Sequence, residues 1–82
     1  MKYQIVIQKP AKKFLDKLPY EERARIVAAI ELLPNGTDIK PMKGHPGIYR
    51  LRVGTYRVIY TVDNGRFIVY VINAGNRGDV YK

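Results

Sequence analysis

Apolar and polar residues alternate at the start of the chain. Tyr3, Ile5 and Ile7 fall on one side of an extended segment and Gln4 and Gln8 on the other, the pattern of a half-buried strand. The period then changes. Pro10 suits the first turn of a helix, where its missing N–H costs nothing, and Phe14, Leu15 and Leu18 give that helix an apolar stripe that Pro19 brings to an end. A second helical run follows in YEERARIVAAIELL, residues 20–33. Glu21 and Glu22 stand in its first turn, where the helix dipole favours acids, and Ile26, Val27, Ile30 and Leu33 recur at helical spacing. Pro34, Asn35 and Gly36 stop it. The polar segment TDIKPMKGHPG, residues 37–47, is expected to be a loop, because its prolines and glycines forbid a long regular element. Three strands close the chain.

The turns between those strands predict their register. If Gly54 and Thr55 form a two-residue hairpin loop, Val53 faces Tyr56, Arg52 faces Arg57 and Arg50 faces Ile59. Asn64-Gly65 is a type I′ turn signal that sets Val62 opposite Phe67, Tyr60 opposite Val69 and Arg57 opposite Ile72. Alternation then puts Tyr49, Leu51, Val53, Tyr56, Val58, Tyr60, Val62, Phe67, Val69 and Val71 on one face, the core face, covered by the two helices. The other face carries Ile48, Arg50, Arg52, Arg57, Ile59, Thr61, Ile68, Tyr70 and Ile72. The expected architecture is α+β, ordered β-α-α-β-β-β, with two N-terminal helices packed on one face of a mainly antiparallel four-stranded sheet. It is read as a single domain over residues 1–82.

Composition is consistent with this. A chain of 82 residues that is 46% hydrophobic, with seven Tyr and two Phe, has the material for a core and lies outside the disordered class. A domain so small buries only roughly 60% of its unfolded surface. The absence of Cys excludes disulfides and thiolate zinc sites, and the start MKYQIVIQ has neither a long apolar leader nor a membrane span, so a cytoplasmic location is expected.

Charge changes the picture more. Fifteen Lys and Arg against seven Asp and Glu leave +8, which favours a polyanionic partner. Between Asp38 and Asp63 there is no acid, while Lys40, Lys43, Arg50, Arg52 and Arg57 all fall in that interval. Arg52 facing Arg57 is a like-charge cross-strand pair, unfavourable by a few tenths to about 1 kcal/mol. Guanidinium groups bind phosphate through paired N–H donors, so the cluster is a candidate nucleic-acid or phosphate cradle, with Lys40 and Lys43 as further contacts. The C-terminal NAGNRGDVYK returns towards the same patch and brings Arg77 and Tyr81 within reach of it. Nearby arginines would lower the phenol pKa of Tyr81, while a tail aromatic packing on the apolar strip is an equal reading. The one histidine, His45, is read as an incidental loop residue. The acids are scattered, and no phosphate-binding glycine loop or nucleophile elbow is present, so no metal or cofactor is expected.

The segment MKGHPGIYRLRVGTYRVIYTVDNGRFIVYVINAGNRGDVYK, residues 42–82, preceded by strand, helix, helix, resembles the RelE/ParE superfamily of toxins from toxin–antitoxin pairs. YRLRVGTYRVIY followed by GNRGDVYK is the most specific part. For the RelE branch the resemblance implies a metal-independent, ribosome-dependent endoribonuclease that cuts messenger RNA in the A site. There the 2′-hydroxyl attacks the adjacent phosphate and leaves a 2′,3′-cyclic phosphate. Carried over by motif, the catalytic positions are Arg50, Arg52, Arg57, Arg77 and Tyr81. Arg50 and Arg57 would hold phosphate and stabilise the growing charge, Arg77 would steady the leaving 5′-oxygen, and Tyr81 is the candidate base or a platform for base stacking.

The chain departs from that pattern in two places. Relatives commonly carry lysine where Arg50 or Arg52 stands, and an arginine does not readily release a proton, which leaves Arg52 as a charge stabiliser. Many also carry histidine where this chain has Asn76. Ending at Lys82, the sequence leaves no room for the extra C-terminal helix of some members, so Ile48, Ile59, Ile68, Tyr70 and Ile72 are expected to be less covered. An acidic, RelB-like antitoxin would cover this strip and neutralise the arginines in a toxin–antitoxin hetero-oligomer. The ribosome and mRNA are the other partners implied. A ParE-like inhibitor of DNA gyrase, which needs no catalytic residue, and a catalytically inactive homologue are the alternatives.

Overall fold

A computed structural model describes residues 2–36 and 38–76. Strand β1 (Gln4–Ile7) leads into helix α1 (Lys9–Asp16), then α2 (Tyr20–Glu31) and strands β2 (Ile39–Pro41), β3 (Ile48–Val53), β4 (Tyr56–Asp63) and β5 (Ile68–Asn76). The strands form one sheet in the order β1-β5-β4-β3-β2. β1 runs parallel to β5, and every other pair is antiparallel. Among the described residues no helix is long and apolar enough to cross a membrane.

The sheet has five strands, one more than the four expected. The extra strand is β2, inside the segment read as a loop. Its three residues pair with β3, Ile39 opposite Leu51, Lys40 opposite Arg50 and Pro41 opposite Tyr49. Its prolines and glycines do keep it short, as the pattern required. Pro10 occupies the first turn of α1, while Pro19 is the N-cap of α2, three residues beyond the end of α1 at Asp16.

Both helices pack on one face of the sheet. Ala11 and Leu15 of α1, Ile26 and Ile30 of α2, and Leu33 after it, meet Leu51, Tyr56, Val58, Tyr60, Val69, Val71 and Ala74 in one apolar cluster. The predicted core face is therefore the observed one except at Phe67, which is 41% exposed. Phe14 meets Tyr56 edge-on at 5.8 Å between ring centroids, and the Tyr56 hydroxyl donates to Glu22 Oε1 at 2.6 Å. That carboxylate holds the proton on the phenol and raises its pKa.

The hairpin between β3 and β4 has the predicted register throughout, with Val53 opposite Tyr56, Arg52 opposite Arg57 and Arg50 opposite Ile59. Gly54 takes φ of +61° there, and a Cβ at this position would lie 2.9 Å from Arg25 Nη2, so the turn both needs glycine's freedom and sits under a side chain of α2. The next hairpin differs. Its loop is four residues, Asn64 to Phe67, closed by Asp63 opposite Ile68, and the left-handed position is Phe67 at φ 57°. Asp63 Oδ1 accepts the Arg66 N–H, Asn64 Oδ1 accepts the Tyr3 hydroxyl, and Phe67 packs edge-on against Tyr3. These contacts with the first strand favour the wider turn over a type I′ turn at Asn64-Gly65.

The consequence runs down β5. Val62 faces Val69 and Tyr60 faces Val71, a two-residue shift that preserves which face each side chain occupies. A β-bulge then places Ile59 opposite Asn73, leaving Ile72 as the extra residue. Past it the faces of β5 exchange, so Ala74 points into the core and Gly75, not Ile72, lies opposite Arg57.

Two predictions test this packing. Ile26 is fully buried, so Ile26→Ala should lower the unfolding free energy by about 2–5 kcal/mol and Ile26→Val by about 0.5–1.5 in chemical denaturation. Burial, with stacked Tyr49 as a lesser cause, pushes the Tyr60 phenol up from 10.0 to about 12. Because the folded value lies above the unfolded one, Tyr60's contribution is intact below about pH 10 and is lost as pH rises towards about 12. Denaturation midpoints across that window should fall more for the wild type than for Tyr60→Phe.

Candidate functional site

Neither helix packs on the second sheet face, and the observed register arranges its side chains in rows. One row runs Arg52, Arg57, Gly75 across β3, β4 and β5, and the next runs Lys40, Arg50, Ile59, Asn73 across β2 to β5. A third contains Ile48, Thr61, Tyr70 and Val6. The arginines converge at one end of this face, beside an apolar strip, as the alternation predicted.

Within the first row the two arginines differ. Asp38 precedes β2 in the left-handed conformation at φ 59°, which aspartate tolerates, and this turns its carboxylate onto Arg52. Arg52 Nε donates to Asp38 Oδ2 at 2.6 Å, and the Arg52 N–H donates to the Asp38 carbonyl at 3.1 Å. Arg52 therefore has the acid that the run between Asp38 and Asp63 had seemed to deny the cluster, a correction to the expectation of a field of one sign. The acid at the boundary of the run folds back onto it.

Arg57 is the opposite case. It is only 8% exposed, yet its Nε has no hydrogen-bond partner, and none of the ion pairs among the described residues involves it. Gly75 places no side chain beside it. A buried, unsatisfied donor costs on the order of 1–3 kcal/mol, so Arg57 is held ready for an acceptor at the expense of stability. Arg50 is half-buried between Lys40 and Ile59. Arg77 and Tyr81 lie outside the described residues, and the register that was to carry them towards Arg57 through Ile72 is replaced by the one through Gly75.

The apolar strip is less open than expected. Ile48, Ile68, Tyr70 and Ile72 are partly exposed, but Ile59 is 6% exposed and belongs to the buried set, a correction to its reading as an uncovered antitoxin contact. Ile72 occupies the bulge.

At the outer end of the second row, β2 and the Met42–Ile48 loop enclose a depression of about 350 Å³ lined by Lys40, Pro41, Met42, Lys43, His45 and Arg50. Lys40 and Lys43 are thus brought together with Arg50, as predicted from charge. His45 joins them, a residue that sequence reasoning set aside because a single histidine in a loop carries no signal of its neighbours. Among the described residues no three of His, Cys, Asp or Glu are placed to hold a metal ion. What the face offers is guanidinium, ammonium and imidazole donors, the equipment for binding phosphate.

Known proteins share the chain's sequence pattern and its fold. The family model describing the ParE toxin of the type II parDE toxin–antitoxin system matches residues 5–81. A toxin named RelE1 from Methanocaldococcus jannaschii is 32% identical, with 100% of this chain and 98% of that protein covered. Toxin RelG of Mycobacterium tuberculosis is 30% identical over 100% of this chain and 99% of its own length. Among solved structures, the RelBE2 toxin–antitoxin complex of Mycobacterium tuberculosis superposes with a TM-score of 0.79 at 26% identity, covering 94% of this chain and 100% of that one. The archaeal RelE–RelB complex of Pyrococcus horikoshii gives 0.75 at 28% identity, over 96% and 99%. Full-length agreement in sequence and fold assigns this chain to the RelE/ParE superfamily of toxins from type II toxin–antitoxin systems.

Proposed function

We propose that this toxin is a RelE-like endoribonuclease that cuts messenger RNA in the ribosomal A site without a metal. The observation that carries the reading is Arg57, a buried guanidinium whose Nε has no hydrogen-bond partner, beside Arg52 on the sheet face away from the helices. A gyrase inhibitor that works by binding has no need of a desolvated donor without a partner, whereas phosphoryl transfer gains most from such a group.

In this reading the 2′-hydroxyl oxygen attacks the adjacent phosphorus as its proton passes to a base, for which Tyr81 is the candidate. The P–O5′ bond breaks and the 5′-oxygen takes up a proton from solvent water, Arg77 being the residue that the family resemblance assigns to steadying this leaving oxygen, and a 2′,3′-cyclic phosphate remains. Arg57 and Arg50 offset the charge that grows on the non-bridging oxygens. Arg52 contributes less than motif matching implies, because Asp38 already opposes its charge at 2.6 Å.

The relatives' complexes with RelB support an antitoxin partner for this toxin. We propose that this partner is acidic, covers the strip formed by Ile48, Ile68, Tyr70 and Ile72, and lies over the arginines. A second reading, inhibition of DNA gyrase, is favoured by the ParE description of the matching family and predicts supercoiling defects in place of cut messages.

Ribosomes programmed with a defined message and mapped for new 5′ ends provide the test. Arg57→Ala should reduce cleavage by about 10²–10³-fold, the scale of removing one transition-state donor. Arg52→Ala should cost under about tenfold, and Tyr81→Phe should impair cleavage while circular dichroism remains native. Uncut message with wild-type toxin, together with inhibited gyrase, would replace the first reading by the second.

A further inference from the structure

The basic depression at the sheet edge adjoins the arginines assigned to the bond that is cut and shares Arg50 with them, while Lys40, Lys43 and His45 belong to the depression alone. We infer that it is a second phosphate subsite, which holds the phosphodiester next to the scissile one on a single strand of RNA. This rests on the ribonuclease reading and adds to it where the strand lies.

Four of its six lining residues, Lys40, Lys43, His45 and Arg50, carry nitrogen donors, and none carries a carboxylate. Asp38, the acid preceding β2, is held by Arg52. Lys40 stands directly opposite Arg50, which brings an ammonium and a guanidinium to the same wall. Arg50 and Arg52 are two residues apart on one face, about 6.6–6.8 Å along the strand. That separation suits successive phosphates on an extended chain, so one strand can lie in the Arg57 row and the depression together.

The wall is built rather than incidental. The Met42 N–H donates to the Ile48 carbonyl at 2.9 Å, the His45 N–H to the Met42 carbonyl at 3.2 Å, and the Ile48 N–H to the His45 carbonyl at 3.1 Å. Thr61 Oγ1 donates to the Gly47 carbonyl at 2.7 Å, tying the loop to β4. Gly44 and Gly47 take φ of +80° and +81°, and a Cβ at either would meet open space, so glycine is required here by the turn and not by crowding.

Lysine and proline on a short edge strand also deter strand addition, and that role alone would explain Lys40 and Pro41. It explains neither His45 and Lys43 in the loop nor the depression they share with Arg50.

The test is a titration of the free toxin, followed by amide and imidazole NMR shifts. The probe is a trinucleotide fully 2′-O-methylated so that it cannot be cut. Shifts are expected together at Lys40, Lys43 and His45 and at Arg57 and Gly75, and a dinucleotide, with one phosphodiester, should bind at least tenfold more weakly. The variant Lys40→Gln/Lys43→Gln/His45→Gln, substituted only at exposed positions, should bind the trinucleotide about tenfold more weakly. Its slope of log affinity against log salt should flatten by about 0.7, the share of one phosphate on a single strand.

Shifts confined to Arg57 and Gly75, with affinity unchanged in the triple variant, would overturn the subsite and leave the ribonuclease reading intact. So would a variant that loses only solubility, which would make the lysines edge guards. Shifts confined to the depression would overturn its link to the scissile phosphate, and no shifts anywhere would overturn the subsite, while cleavage on programmed ribosomes decides the ribonuclease reading separately.

Discussion

Everything functional in this molecule depends on a sheet with two helices on one face and none on the other. Strand alternation sends every second side chain to each face, so filling one face with Leu51, Tyr56, Val58, Tyr60, Val69 and Val71 commits the intervening residues to the other. A domain of 82 residues has little surplus core to offset what stands there. Arginines, a like-charge pair across β2 and β3 and another across β3 and β4 all lie on that second face. The apolar core lies on one side of the sheet and the concentration of cations on the other.

The fold grades its cations by their environment. Arg52 is half-exposed and paired with Asp38, Lys40 and Lys43 are exposed, and Arg57 is buried with an unsatisfied Nε. Exposed charges are screened by water and salt and attract an anion over a distance, whereas a desolvated guanidinium acts strongly only on what touches it. Cations on one surface thereby differ in how far and how strongly they act. Asp38 sharpens the distinction by removing Arg52 from the uncompensated set.

Much of this was legible in advance, for a physical reason. The β3–β4 hairpin is local, and its two-residue turn at Gly54 and Thr55 sets its own register, so the meeting of Arg52 with Arg57 followed from sequence. The β4–β5 register did not, because it is decided by a residue 61 positions away: Tyr3 donates to Asn64 and packs on Phe67, and the turn widens. The bulge at Ile72 is equally silent, since nothing in INAGN distinguishes a regular strand from an interrupted one. β2 escaped because three residues are too few to show a period. Asp38 and His45 escaped because their importance lies in which neighbours the fold gives them.

The bulge repays closer attention than its single residue suggests. Without it β5 would keep its alternation, Ala74 would face the uncovered side and Gly75 the core. With it, a small apolar residue fills the interior beside Val58 and a residue with no side chain stands next to Arg57. Any larger residue opposite Arg57 would occupy the space an acceptor must enter. One inserted residue therefore completes the core and keeps the β5 side of Arg57 clear of a side chain in the same step, so the arginine face of this sheet is organised around β4 and β5 and not around the hairpin that supplies most of its arginines.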